Sequence, residues 1–454
     1  MSKNRTTAQW KQMDANRHLH PFTDFNDYQK NHGRIIERAD HIYIYDTDGK
    51  KMLDAMSGLW CCSLGYSQPE IAEAVQAQFQ QLPYYNNFFQ CSNTPAVELA
   101  DKLVKMTPKQ FSHVFFTNSG SEANDTNIRL IRRYWDIKKQ PKKRFILART
   151  NAYHGSTIAA ASLGGFEFVH NQFETLPYAD HIIDPNWYNN GEDLSPEEFG
   201  LHAARALERR IDELGEENVA AFIAEPIQGA GGVIVPPDTY WPEVRRILNE
   251  RDILFVSDEV ICGFGRTGNL FGCETYGMEP DLLTFAKAVT NGFQPLGGVM
   301  VNEKIADIIT SDGGEFGHGF TYSGHPIACA AALATLTIME REDFVGRVAN
   351  DIGPYLQKQW ATLEEHPIVG HVRGVGMLGS IELVRDKETR ERLEPDQKSG
   401  GICREFCVEN GLIMRAVGDS MIISPPFVSS HLEIDLLIAR ARKSLDQTAE
   451  HYSI

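Results

Sequence analysis

The segment 253–287, ILFVSDEVICGFGRTGNLFGCETYGMEPDLLTFAK, decides the fold. It contains two apolar runs, 253–258 (ILFVSD) and 282–286 (LLTFA), neither of which alternates apolar with polar residues. Runs of this kind suit strands covered on both faces. Four more stand outside it: 113–117 (HVFFT), 144–149 (RFILAR), 219–225 (VAAFIAE) and 297–301 (GGVMV). Helical patterns near 201–214, 238–250 and 303–310 lie between them. Strand–helix alternation on this scale predicts an α/β fold with a mostly parallel sheet.

Both runs of the opening segment lead to a reactive residue. Asp258 closes the first, at the strand end where α/β proteins place site residues. An ionised Asp there needs a cationic partner, or it caps the next element. Lys287 closes the second. A lysine at the tip of a buried strand is costly unless it is paired or covalently used, and desolvation lowers its pKa and makes it a nucleophile. The same lysine could also simply reach solvent.

A third feature is Thr117-Asn118-Ser119-Gly120-Ser121-Glu122-Ala123, which follows a strand and opens a helical pattern. Ser119 and Glu122 have capping-box spacing. Free N–H groups and the positive dipole end suit a phosphate there, although a capped helix without a ligand fits as well. Between the two runs, Gly263-Phe264-Gly265-Arg266-Thr267-Gly268 matches the dinucleotide pattern G-x-G-x-x-G. Asp258 and Glu259 just before it would face a pyrophosphate badly, and the acid required about 20 residues on is missing. These glycines read instead as shaping a tight loop. A phosphate-cradling helix start, a strand-end Asp and a strand-end Lys together fit a pyridoxal 5'-phosphate site: the phosphate on the helix, the Asp on the pyridinium nitrogen and the Lys holding the cofactor.

The chain ends look different. Residues 35–54 read as short strands with a turn at Asp48-Gly49. After 330 come a long helical pattern, a strand region near 371–384, a helix near 400–410, short strands near 412–424 and a last helix. We expect residues 1–57 and 331–454 to build one small α+β domain beside a large domain over 58–330.

Composition narrows the class. The chain has 454 residues, with 42% apolar and 23% charged, which is globular. A net charge of −17 speaks against nucleic acid and anionic membrane surfaces and can draw in cationic ligands. Eight cysteines without scaffold spacing suit a reducing compartment. No apolar h-region opens the chain and no run approaches a membrane span, so a cytoplasmic location is expected. No histidine or cysteine spacing suggests a metal.

These motifs resemble the class III (omega) aminotransferases among the fold-type-I pyridoxal phosphate enzymes. The resemblance runs from Asp258-Glu259-Val260 through 263–268 to Asp281, Ala286-Lys287 and Asn291-Gly292. It extends to 20–24 (HPFTD), 57–60 (SGLW), 117–125 (TNSGSEAND), 153–157 (YHGST), 225–232 (EPIQGAGG), 318–326 (HGFTYSGHP) and 411–426 (GLIMRAVGDSMIISPP). Ala288 departs from the Gly that many members carry after the lysine, a change expected to alter only loop packing.

The resemblance implies that Lys287 carries the cofactor and shuttles a proton. It implies Asp258 on the pyridine nitrogen, and Gly120 and Ser121 on the phosphate, completed by Thr321 of the partner subunit. Tyr153 and Val260 would cover the two ring faces, and Glu225 would lie at the cofactor edge. Phe22, Trp60 and Phe88 would line the substrate pocket with Tyr153, and Arg415 would take the carboxylate of pyruvate. His154 and His318 read as structural. The implied reaction moves the amino group of a primary amine or diamine to pyruvate, as in the putrescine–pyruvate subgroup, in a homodimer with shared sites or a pair of such dimers. Beta-alanine– and taurine–pyruvate transaminases are the near alternatives, and a nicotinamide-dependent oxidoreductase is the remote one.

Overall fold

Seven strands form the central sheet of the computed structural model, which describes residues 5–454. Across the sheet they run Phe111–Thr117, Gly297–Asn302, Leu282–Phe285, Leu254–Asp258, Val219–Ala224, Phe145–Arg149 and Ala179–Ile182. Gly297–Asn302 is antiparallel to both neighbours, and every other pairing is parallel. Every residue of Val219–Ala224, Leu254–Asp258 and Leu282–Phe285 is buried, which is why these runs show no alternation.

The fold is the expected α/β architecture. The edge strand Ala179–Ile182 was not foreseen: it is four residues long and half of them, Asp180 and His181, are polar. The helix expected at 201–214 begins earlier, at Pro196. Ser195 caps it, Pro196 occupies the first turn and Glu198 closes a capping box, so its polar first turn hides the helix from a hydrophobic pattern. Register sets the site. Asp258 pairs with Thr284, so both strands end on one edge of the sheet and the chain reaches Lys287 three residues later.

The two chain ends meet. Strands Ile36–Asp40, Tyr43–Asp46 and Lys51–Asp54 form an antiparallel meander, and Leu412–Ile413 joins it parallel to Lys51–Asp54, with Leu412 opposite Leu53. A third sheet runs Val369–Val375, Leu378–Leu383, Ser420–Ile423 and Arg415–Val417. Helices Ser399–Glu409 and His431–His451 pack on each other beside these strands. The helix expected after 330 starts at Pro326, runs to Arg341, and packs on Pro69–Gln81 and Thr94–Met106.

The 263–268 loop opens no helix. Its Arg266 is buried, donating to the Pro425 carbonyl at 2.6 Å and to Ser63 Oγ at 2.8 Å, over the Phe427 ring. Phe264, Gly265 and Gly268 all have positive φ. The loop is a clamp on the C-terminal segment. Among the described residues, no helix is long and apolar enough to cross a membrane.

Candidate active site

Lys287 follows strand Leu282–Phe285 in a left-handed conformation, φ 49°, and opens a short 3-10 turn to Thr290. Asn291 pins that turn. It accepts from the Leu64 N–H and donates to the Gly65 carbonyl, each at 2.8 Å. Burial pushes the Lys287 ammonium below the ordinary lysine range. Cys61, Asp258 and Glu225 oppose that shift, while the nearby Arg415 charge adds to it.

Asp258 is buried, and its two oxygens do different work. Oδ2 accepts from Asn124 Nδ2 and His154 Nδ1, both at 2.8 Å. Among the described residues, Oδ1 accepts only the Val260 N–H, at 3.2 Å, and keeps capacity for one more donor. The buried His154 Nε2 has no partner among the described residues.

The helix Gly120–Ile137 begins beside Asp258. Ser119 caps it, accepting from the Glu122 N–H at 3.2 Å. A Cβ on Gly120 would lie 2.9 Å from Val260 Cγ2, so only glycine allows this approach. Ser121 Oγ accepts from the Ser156 N–H at 3.1 Å. Gly155, at φ +136°, would push a Cβ to 2.6 Å from that same oxygen. Thus the loop after Tyr153 is stitched to the helix start. Tyr153 donates its N–H to Glu225 Oε1 at 3.1 Å, and its hydroxyl lies 3.0 Å from Ser156 Oγ. Glu225 also accepts the Gly229 N–H at 2.9 Å, and burial raises its carboxyl above the ordinary range.

The opposite wall is Trp60. Ser57, Gly58 and Trp60 all take positive φ, and Asp54 holds this turn by accepting the Met56 and Gly58 N–H groups at 2.9 and 2.6 Å. The buried Trp60 ring has Lys287 Nζ 5.7 Å and the Arg415 guanidinium 5.2 Å from its centroid. Burial lowers the Arg415 pKa, and Tyr153 opposes that shift. Phe22 packs edge-on to Tyr153 at 6.1 Å, and both line a cleft of 260 Å³ with Ser156 and Phe166.

Geometry and donor set fit pyridoxal phosphate. The helix N-terminus lies behind a glycine that admits no side chain, a carboxylate oxygen has room for one more donor, and a lysine of lowered pKa closes the adjacent strand. A model of the aminotransferase class-III family matches residues 25–445. The chain belongs to the class III aminotransferases. It is 54% identical over 98% of its length to the putrescine–pyruvate aminotransferase of Pseudomonas aeruginosa, covering 98% of that protein. It is 42% identical to gamma aminobutyrate transaminase 3, chloroplastic, of Solanum lycopersicum, over 91% of this chain and 81% of that one. Among solved structures, the omega transaminase of Pseudomonas jessenii in complex with PMP superposes with a TM-score of 0.94 at 39% identity, covering 98% of this chain and 99% of that one. The (S)-enantioselective omega-transaminase of Thermomicrobium roseum does so at 0.94 and 40%, over 98% and 100%. The protein is therefore a pyridoxal phosphate-dependent aminotransferase.

Of the expected site residues, Lys287, Asp258, Gly120, Ser121, Tyr153, Val260, Glu225, Trp60, Arg415 and Phe22 gather at this edge of the sheet. Phe88 and Thr321 sit elsewhere, together, on an exposed face. The Tyr84 hydroxyl donates to the Thr321 carbonyl at 2.8 Å, and Phe88 abuts Gly319. Sequence reasoning missed Asn124, Thr284 and Cys61. Asn124 lies inside the quoted 117–125 block, and Thr284 is the one polar residue of its strand. Asp14, His18 and His20 also converge, with ligand-type atoms within 4.8 Å, but they bond to one another and to Tyr28.

Proposed function

We propose that this enzyme moves the amino group of putrescine or a similar primary amine to pyruvate, giving an aldehyde and L-alanine. The observation that carries this reading is the 54% identity, end to end, with a protein of that activity. When bound, pyridoxal phosphate supplies the carbonyl that takes up the amino group and the electron-withdrawing ring that acidifies the neighbouring carbon.

The chain's own residues do the rest. Lys287 carries the cofactor and, once released, acts as the base that moves a proton at the substrate carbon; its lowered pKa supports that role. Asp258 offers Oδ1 to the ring nitrogen. Gly120 and Ser121 hold the phosphate, with Thr321 of the partner subunit completing the cradle. Tyr153 and Val260 cover the ring faces, and Glu225 holds the Tyr153 backbone at the ring edge. Phe22 and Trp60 bound the substrate together with Phe88 of the partner subunit, and Arg415 takes the carboxylate of pyruvate.

The assembly is a homodimer, or two such dimers, working in the cytoplasm. An exposed aromatic face supports the dimer: Tyr84 donates to the Thr321 carbonyl and packs edge-on to Tyr322, and the exposed Phe88 and Phe89 rings lie beside each other. The large domain spans 58–330, and the small one combines 1–57 with 331–454; the pairing of Leu53 with Leu412 supports that union.

A donor panel with pyruvate tests the reading: putrescine, cadaverine, beta-alanine, taurine and 4-aminobutyrate. The diamines should give the highest kcat/KM. Preference for an ω-amino acid would replace the diamine reading with a beta-alanine– or taurine-type one. Arg415 near the site gives that alternative its footing.

A further inference from the structure

We propose that Thr284, acting through Asn124, is a positioning residue that fixes the orientation of Asp258. The proposal rests on the reading of Asp258 as the group that meets the cofactor's ring nitrogen.

The side-chain amide of Asn124 could be held in either of two orientations. Only one of them aims its NH2 group at Asp258 Oδ2 and the His154 carbonyl, as found here at 2.8 and 2.7 Å. What selects it lies on the other side of the amide. The Thr284 hydroxyl donates to Asn124 Oδ1 at 2.9 Å, and Asn127 Nδ2 donates to the same oxygen at 3.0 Å. The second N–H of that Asn127 amide reaches Thr284 Oγ at 2.7 Å. Thr284 Oγ is therefore an acceptor toward Asn127, and its own hydrogen is left for Asn124. Turning the Asn124 amide over would set its N–H groups against two donors and its oxygen against a carboxylate.

All four groups are buried, with relative exposures of 0% for Asn124 and Thr284, 1% for Asn127 and 3% for Asp258. No solvent is at hand to soften a lost bond, so the network transmits orientation. Its placement matters too. Thr284 is the sheet partner of Asp258, and its carbonyl accepts the Glu259 N–H at 2.9 Å. It stands three residues before Lys287 on the same strand. Asn124 stands one helical turn after Gly120. One threonine thus ties the lysine strand, the helix start and the carboxylate to a single geometry.

The test uses Thr284→Val, which keeps the shape and removes the hydroxyl, and Thr284→Ser, which keeps the hydroxyl. Each holoenzyme is stripped of cofactor and reloaded. Pyridoxal phosphate affinity is read from tryptophan fluorescence, and the pH midpoint of the bound cofactor from its visible absorption. Thr284→Val should weaken cofactor binding about tenfold and shift the midpoint, while Thr284→Ser stays within about twofold of wild type. Asn127→Ala, a turn further from the site, should follow Thr284→Val and serves if that variant folds poorly.

The proposal is overturned if Thr284→Val and Asn127→Ala bind and titrate like wild type while Asp258→Ala loses affinity. It is equally overturned if Thr284→Ser falls as far as Thr284→Val. If Asp258→Ala also binds and titrates unchanged, the reading of Asp258 itself fails.

Discussion

Lys287 Nζ lies 5.7 Å from the centroid of the Trp60 ring, a distance at which a cation and an indole face attract. The Arg415 guanidinium is 5.2 Å from the same ring. Two cations thus share one aromatic neighbour, and the arginine adds to the burial that lowers the lysine's pKa. The indole stabilises both charges weakly and keeps water away from the amine. Its position depends on the left-handed backbone at Ser57, Gly58 and Trp60 that Asp54 holds in place.

Trp60→Ala admits water to the amine, and because the burial it relieves outweighs the weak ring attraction it removes, Lys287 should return toward ordinary lysine behaviour. Capture of pyridoxal phosphate by the cofactor-free enzyme requires the unprotonated amine, so its rate rises with pH through the Lys287 pKa. In the variant that rise should move to higher pH, as stopped-flow absorbance at a series of pH values would record. Opening a cavity in place of a buried Trp should also cost about 3–5 kcal/mol of stability.

Glu259, the neighbour of Asp258, makes a second pH test. It accepts the Gly272 and Cys273 N–H groups at 2.8 and 2.6 Å, yet burial raises its carboxyl from 4.5 to about 7. Between these values the folded chain keeps a proton that the unfolded chain has released. The folded state then binds more protons, so this group's contribution to stability is full below pH 4.5 and is lost as pH rises to about 7. The loss is of order 3 kcal/mol. Glu259→Gln cannot titrate, and urea unfolding at successive pH values should show that part of the slope vanish.

The exposed face that carries Thr321 bears on the proposed dimer. Phe89 is 90% exposed in the single chain and lies beside Phe88. If two copies bury this face, Phe89→Asp would place an unpaired charge between them. Sedimentation should then report a shift from dimer toward monomer, with loss of cofactor affinity and turnover. An unchanged mass would remove this face from the interface.

What was legible in the sequence follows from how local each signal is. Asp258 and Lys287 stood out because apolar runs end on them, and Gly120 and Ser121 because a strand leads into a capped helix. Thr284 did not: one hydroxyl inside LLTF reads as strand filling, and its partner Asn124 lies far away along the chain. The posture of Trp60 depends on backbone conformation around Gly58, which its neighbours in the sequence do not announce. Strand Ala179–Ile182 was too short and polar for a periodicity signal. Phe88 and Thr321 could be assigned to a shared site by resemblance alone, since a single chain leaves them on its surface.

The central claim is that Lys287 holds the cofactor at the carboxyl edge of the sheet, opposite Asp258. Borohydride reduction of the purified holoenzyme, followed by peptide mass mapping, tests it most directly. The account predicts bleaching of the visible band and a pyridoxyl adduct on the peptide containing Lys287. An adduct on another lysine, or bleaching with no adduct on that peptide, would contradict it.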